Sequence, residues 1–227
     1  MTQDEAKALV GKRAVEFVEP GMRVGLGTGS TSTQFIRSLA ARNAEKPLNI
    51  RCVASSDASA KLGKELGLEV LSLTDLPELD LYIDGADEVD PQLNLIKGGG
   101  GAMLREKIVA SSSKRFIVVV DDTKVVPTLG KFPLPLEVIK MALPLVTKDL
   151  NDLGLNPKQR MHPDGSVYLT DENNYVVDCH INRITDPAAT AAAIRNLVGV
   201  VEHGLFLGMT NLVLVAGENG VTEMKKS

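Results

Sequence analysis

The segment RFIVVVD, residues 115–121, is continuously apolar between its ends and shows no polar alternation. A strand of that kind needs cover on both faces, which parallel sheets flanked by helices supply. Shorter runs of the same type occur at 22–27 (MRVGLG), 50–55 (IRCVAS), 81–86 (LYIDGA) and 211–217 (NLVLVAG). Helical patterns alternate with them. Residues 3–18 place Ala6, Leu9, Val10, Ala14, Phe17 and Val18 at helical spacing, and Thr2 with Glu5 forms a capping box. Residues 33–42 read as a second helix. Ser55 to Asp57 open a third that runs through Leu66, with Gly67 at its end, and AMLREKIVAS (102–111) reads as a fourth. This alternation predicts βαβ units and a mostly parallel α/β sheet.

The rhythm changes after Lys124. GKFPLPLEV (130–138) carries two prolines and reads as a linker into a second unit. The expected order beyond it is strand LEVIKM, helix LPLVTKDLNDLG, short strand QRM, strand SVYLTD, strand YVVDCHI, helix DPAATAAAIRNLVG and strand VVEHGLFL. Setting QRM aside leaves β-α-β-β-α-β, a ferredoxin-like α+β pattern. The run 211–217 is expected to rejoin the first sheet. The predicted organisation is an α/β domain over 1–130 and 208–227, with a second domain, 131–207, inserted in it.

Composition removes several function classes. A chain of 227 residues builds its own core without disulfide or metal staples. Net charge is −4, which gives no broad nucleic-acid footprint, and the absence of Trp with 4% aromatics disfavours base-stacking platforms. No stretch approaches the ~18 apolar residues of a membrane span, and MTQDEAK lacks the marks of a signal peptide. Cys52 and Cys179 lie far apart outside any CxxC, so a reducing cytoplasm is expected. His162, His180 and His203 lack zinc-site spacing. Cys179 reads as a small buried hydrophobe.

Four segments carry residues suited to chemistry. Gly25-Leu26-Gly27-Thr28-Gly29-Ser30-Thr31 joins a strand to a helix and offers N–H groups and hydroxyls to an anion. It fits neither GxGxxG nor a P-loop. Small-phosphate binding and a tight turn that binds nothing both fit it. Asp84-Gly85-Ala86-Asp87-Glu88 follows a strand at the edge where open α/β sheets hold ligands. A pair of working carboxylates and a solvated acidic loop with Asp87 as a helix cap are two readings there, and a carboxylate-bound metal is a third that no other acid or His cluster supports. Lys97-Gly98-Gly99-Gly100-Gly101 concentrates four glycines, which suits close backbone approach to a ligand. Glu106 follows on the next helix, either within reach of that ligand or as a surface residue favoured by the helix dipole. Lys124 lies just past RFIVVVD, as a phosphate partner or a solvated lysine. Lys131 and Glu137 are hinge residues or linker polarity, and Lys7 is a weaker source of positive charge.

Taken together, GLGTGSTS, SSDAS (55–59), DGADE (84–88), KGGGGAMLREK (97–107), DDTK (121–124) and GKFPLPLEV, in this order, resemble ribose-5-phosphate isomerase, type A. The likeness runs along nearly the whole chain. It implies a Rossmann-like domain with a ferredoxin-like lid, and interconversion of D-ribose 5-phosphate and D-ribulose 5-phosphate in the pentose phosphate pathway. It implies no metal or cofactor, and a homodimer or homotetramer. Glu106 would be the catalytic base. Thr28, Gly29, Ser30, Thr31, Asp84, Gly85, Ala86, Asp87, Lys97, Gly98, Gly99, Gly100 and Lys124 would bind substrate. Ring opening would fall to Asp84 or Asp87, with Lys97 stabilising charge. The resulting expectation is a cytoplasmic enzyme on a small sugar phosphate, without nucleic acid or membrane partners. A sugar-phosphate sensor and a nicotinamide-dependent oxidoreductase are the rival readings. The first lacks a recognisable output module, and the second fails the glycine fingerprint.

Overall fold

Phe116–Asp121 forms a strand with all six residues buried, inside a seven-stranded sheet. The computed structural model describes residues 1–226. Its elements in chain order are α1 (Gln3–Val15), β1 (Arg23–Leu26), α2 (Ser30–Glu45), β2 (Arg51–Ala54), α3 (Asp57–Glu65), β3 (Val70–Leu71), β4 (Leu81–Asp84), β5 (Glu88–Val89), β6 (Leu95–Ile96), α4 (Met103–Ser111), β7 (Phe116–Asp121), β8 (Leu134–Val138), α5 (Leu143–Asp152), β9 (Pro157–Gln159), β10 (Tyr175–Cys179), α6 (Pro187–Arg195), β11 (Val200–His203), β12 (Leu205–Phe206), β13 (Leu212–Gly217) and β14 (Gly220–Met224). Residues 1–86, 105–125 and the segment from 208 onward form one compact unit, and residues 87–104 and 126–207 form another.

In the first unit the strand order is β14-β13-β7-β4-β1-β2-β3. Every pairing is parallel except β13 with β14. As expected, 211–217 rejoins this sheet, beside β7. Ala6, Val10 and Ala14 of α1 join Phe35, Ile36 and Leu39 of α2 and the inward residues of β1, β4 and β7 in one core. Burying each large aliphatic side chain contributes ~1.5–3 kcal/mol. The Thr2–Glu5 capping box closes α1, with Glu5 N–H donating to Thr2 Oγ1 at 3.2 Å and Thr2 N–H to Glu5 Oε2 at 2.7 Å. The second helix begins at Ser30, earlier than its apolar spacing suggests, because Gly29 with φ +100° forms the N-cap. β14 has no counterpart in the expected pattern.

In the second unit, β8-α5-β9-β10-α6-β11 folds into an antiparallel sheet of order β11-β8-β10-β9, a ferredoxin-like arrangement. The strand the sheet uses lies just before the piece set aside in the sequence pattern and shares only Gln159 with QRM. Pro157–Gln159 pairs with β10, while 166–171 contributes only two isolated bridges, Met161 with Val167 and Leu169 with Tyr175. Turns at both ends hold that segment in a tight excursion. Gly165 N–H donates to the His162 carbonyl at 2.9 Å, and Thr170 N–H to that of Asn174 at 3.0 Å.

GKFPLPLEV is also no linker, since Leu134–Val138 is the fully buried β8, paired on both sides. The run 200–207 splits at Gly204, so that β11 pairs with β8 and β12 with β6 in a small sheet of order β12-β6-β5. This pairing explains why residues 87–104, expected in the first domain, pack with the second unit. Among the described residues no helix is long and apolar enough to cross a membrane.

Candidate active site

β1, β4 and β7 are parallel neighbours, so their carboxyl ends share one edge of the first unit's sheet, where open α/β sheets hold ligands. Asp84 ends β4 and is fully buried. Its Oδ1 accepts from Thr28 N–H at 2.9 Å, Ser32 Oγ at 2.7 Å and Gly85 N–H at 2.7 Å, and the Tyr82 hydroxyl donates to Oδ2. The β1–α2 turn is thereby tied to the end of β4. A Cβ at Gly27 would overlap the Asp84 carboxylate, so this turn needs glycine there. Ser59 Oγ donates to the Gly27 carbonyl at 2.7 Å, and Thr28 Oγ1 lies 2.8 Å from Ser55 Oγ. The tie leaves Gly29 and Ser30 exposed and Thr31 half-buried at the start of a long helix with no acid in its first turn. N–H groups and hydroxyls there suit an anion. Lys124 is half-buried in a short 3-10 turn after β7, where Asp121 accepts from Thr123 N–H at 3.1 Å. Lys7 pairs with Asp4 at 3.6 Å.

Glu106 is not a surface residue, being only 4% exposed. Its helix packs onto β1 and β4 where Gly25 has no side chain. A Cβ there would stand 2.6 Å from Tyr82 Cδ2 and 2.9 Å from Val109 Cγ1. Neighbouring Arg105 pairs with Asp57 at 2.7 Å. Burial, followed by the negative charges of Asp84 and Glu106, pushes the Tyr82 hydroxyl well above its ordinary pKa. The phenol and both carboxylates therefore share one electrostatic neighbourhood inside the first unit.

The second unit holds Asp87, Lys97 and the glycine loop. Asp87 caps no helix. Its Oδ2 accepts from Gly99 N–H at 2.8 Å, and its own N–H donates to the Ile96 carbonyl at 2.9 Å. Lys97 is 2% exposed, with its N–H on the Gly204 carbonyl at 2.9 Å and its ammonium 5.6 Å from the Phe206 ring centre. Gly98 and Gly101 take φ of +104° and +73°, and Gly101 N–H closes a turn on the Gly98 carbonyl at 2.9 Å. Gly99 and Gly100 are exposed, while Gly85 and Ala86, on the strand exit before Asp87, are partly buried.

Glu88 and Glu137 depart from their sequence readings, and Arg160 and Tyr168 carry no sequence signal at all. Glu88 is buried and accepts from Gly130 N–H at 2.7 Å and Phe132 N–H at 2.6 Å, so it is not part of a solvated acidic loop. Glu137, buried in β8, accepts from Thr170 Oγ1 at 3.0 Å and Asn174 Nδ2 at 2.9 Å, whereas Lys131 is exposed. Arg160 and Tyr168 bind the glycine-loop carbonyls, a contact across more than sixty residues that no local motif announces. Cys179 is buried, as expected. Among the described residues, no group of three or more His, Cys, Asp or Glu side chains has the arrangement of a metal site.

A Rossmann-like sheet with a buried carboxylate beside a tied glycine turn, in a chain that also carries a ferredoxin-like unit, is the architecture of an α/β protein that holds small ligands at the carboxyl edge of its sheet. The family model for ribose 5-phosphate isomerase A (phosphoriboisomerase A) matches residues 51–220, and this chain belongs to that family. Membership supports ribose 5-phosphate isomerisation as its reaction. A ribose-5-phosphate isomerase A from Levilactobacillus brevis is 48% identical over 220 residues, covering 97% of this chain and 96% of its own. The solved ribose 5-phosphate isomerase A of Methanocaldococcus jannaschii has TM-score 0.95 and 38% identity, covering 99% of this chain and 100% of its own. A D-ribose-5-phosphate isomerase in complex with phospho-erythronic acid has TM-score 0.96 and 35% identity, with coverage of 99% and 100%.

Proposed function

We propose that the protein interconverts D-ribose 5-phosphate and D-ribulose 5-phosphate through a cis-enediolate, with Glu106 as the general base and then the acid. The burial of the Glu106 carboxyl, in the same electrostatic neighbourhood as Tyr82 and Asp84, carries this reading. In the open aldose, Glu106 takes the proton from C2. The C–H electron pair becomes the C1=C2 bond, and the C1 carbonyl oxygen takes the charge. Transfer of the O2 proton to O1 and return of the Glu106 proton to C1 leave C1 as a CH2OH group and the carbonyl at C2. Positioned acid–base groups contribute ~10²–10⁴-fold to such steps. Lys97 and the N–H groups of Gly98 and Gly100 stabilise the developing charge, while the Gly99 N–H holds Asp87. Thr28, Gly29, Ser30, Thr31 and Lys124 hold the phosphate, while Gly85 and Ala86 line the sugar. Asp84 is fully buried and engaged by four donors, which supports giving the ring-opening proton to Asp87. The reading includes no metal or cofactor and no nucleic acid or membrane partner. It makes the protein a cytoplasmic homodimer or homotetramer. The phosphorylated ligand of the related solved structure is in keeping with a sugar-phosphate substrate.

The test is a proton NMR time course of ribose 5-phosphate in D₂O with EDTA, using wild type and Glu106→Gln. Ribulose 5-phosphate with deuterium at C1 or C2 is expected from the wild type. The variant is expected to bind ribose 5-phosphate and leave it unchanged. Turnover by Glu106→Gln at the wild-type rate overturns the base assignment. No conversion by folded wild type overturns the function.

A further inference from the structure

Every carbonyl from Gly98 to Gly100 is met by a side chain of the same unit. Arg160 Nη1 donates to the Gly98 carbonyl at 3.0 Å and the Gly99 carbonyl at 2.9 Å, and the Tyr168 hydroxyl donates to the Gly100 carbonyl at 2.9 Å. Arg160 is itself held. Its Nε and Nη2 form a fork on Asp178 at 2.8 and 2.5 Å, with side-chain exposures of 14% and 17%. Its N–H donates to the Val176 carbonyl at 2.8 Å, and its carbonyl accepts from Tyr168 N–H at 3.1 Å. The guanidinium carbon lies 5.5 Å from the Tyr168 ring centre. One planar group with five donors serves a carboxylate and two carbonyls at once, which an ammonium cannot do.

A trans peptide points its carbonyl and its N–H in opposite directions, and no peptide here is cis. Turning the Gly98 and Gly99 carbonyls onto Arg160 therefore turns the Gly99 and Gly100 N–H groups away from it. The Gly99 N–H meets Asp87, and the Gly100 N–H is presented from an exposed residue. Consecutive glycines otherwise sample many peptide orientations. A cation on the carbonyl side also polarises these peptides and strengthens their N–H groups as donors.

We propose that Arg160, anchored by Asp178 and assisted by Tyr168, is a positioning residue that holds the Gly99 N–H on Asp87 and presents the Gly100 N–H to the charge developing on the substrate oxygens. This rests on the isomerase reading above. The test uses the full-length protein and the variants Arg160→Lys and Tyr168→Phe. For each, kcat and KM for ribose 5-phosphate, calorimetric affinities for inorganic phosphate and phospho-erythronic acid, and melting temperature are measured. Arg160→Lys is expected to lower kcat ~10²-fold, the scale of a lost oxyanion donor. KM and phosphate affinity should stay within about threefold, a split that marks an interaction made in the transition state. Tyr168→Phe is expected to lower kcat about tenfold with unchanged melting. Wild-type kcat in both variants, alongside normal wild-type turnover, overturns this proposal alone. A parallel fall in kcat, phosphate affinity and melting temperature also overturns it, since that marks a general brace. If Arg160→Lys does not fold, Tyr168→Phe decides on the same criteria. Absence of turnover in the wild type overturns the isomerase reading beneath it.

Discussion

Replacing Asp84 separates two roles open to a buried carboxylate, proton carrier and fastening. Asp84→Ala removes the acceptor of two hydroxyls, Tyr82 and Ser32, that are fully buried. Stranding each costs about 1–3 kcal/mol, so roughly 2–6 kcal/mol together. The Thr28 and Gly85 N–H groups are only partly buried, and water can replace their partner. For a chain of this size the loss corresponds to a fall of roughly 4–24 °C in melting temperature. Asp84→Asn keeps an oxygen for Thr28, Ser32 and Gly85, and its amide can donate to the Tyr82 oxygen. It loses charge assistance, about 1–2 kcal/mol. Calorimetric melting and steady-state kcat on both variants make the assay. The asparagine variant should melt a few degrees early and keep turnover within about tenfold. Asp87→Asn should melt near wild type and lose ~10²–10⁴-fold in kcat. Wild-type melting of Asp84→Ala would refute the fastening role. An Asp84→Asn enzyme as inactive as Glu106→Gln, with unchanged melting, would refute giving ring opening to Asp87.

Gly25→Ala pushes a Cβ to 2.6 Å from Tyr82 Cδ2 and 2.9 Å from Val109 Cγ1, so the helix carrying Glu106 has to shift. Overpacking of this kind costs about 1–3 kcal/mol. Lowered melting with a larger loss in kcat than in KM is expected, and wild-type values for both would contradict it. Burial pushes the Cys52 and Cys179 thiols up to about 12. Iodoacetamide at pH 8 should label neither in the native protein and both after denaturation. From about pH 9 to pH 12 the folded thiols keep protons that the unfolded chain releases, so stability should fall as pH rises through that window. Prompt native labelling at pH 8 would contradict the burial argument.

Elements with their own local signals were legible in the sequence. The Thr2–Glu5 cap, Gly67 after α3 and the apolar runs of β1, β2, β4, β7 and β13 need only neighbours within a few residues. The two-residue strands β5, β6 and β12 were not, because periodicity needs more residues than they contain. SVYLTD has better strand composition than PKQ, yet turns on either side withhold it from the sheet, and β10 pairs with the poorer segment. Pro135 suggested a linker, but it lies in a central strand, with its carbonyl accepting from Gly204 N–H at 2.8 Å. At the candidate site, residue types and spacing singled out Asp84, Asp87, Lys97, the glycines and Glu106. Spacing does not reveal that Asp84 carries four donors or that Arg160 reaches the glycine loop, since those partners meet only through the fold.

The parallel partner of β7 arrives late. Ile117 pairs with Leu212, roughly 95 residues further along, so a ribosome adding about 5–20 residues per second leaves β7 waiting about 5–20 s. Throughout that interval a six-residue strand, apolar on both faces, has β4 on one side and an open row of backbone donors and acceptors on the other. Such an edge is a template for wrong partners, including the same strand of another nascent chain. A chain interrupted anywhere before Leu212 would keep that template permanently. Its solubility would suffer more than the few missing residues suggest. In the finished fold β13 covers that edge and β14 covers β13, with Thr222 and Glu223 exposed on the outermost strand, a polar border that discourages further pairing.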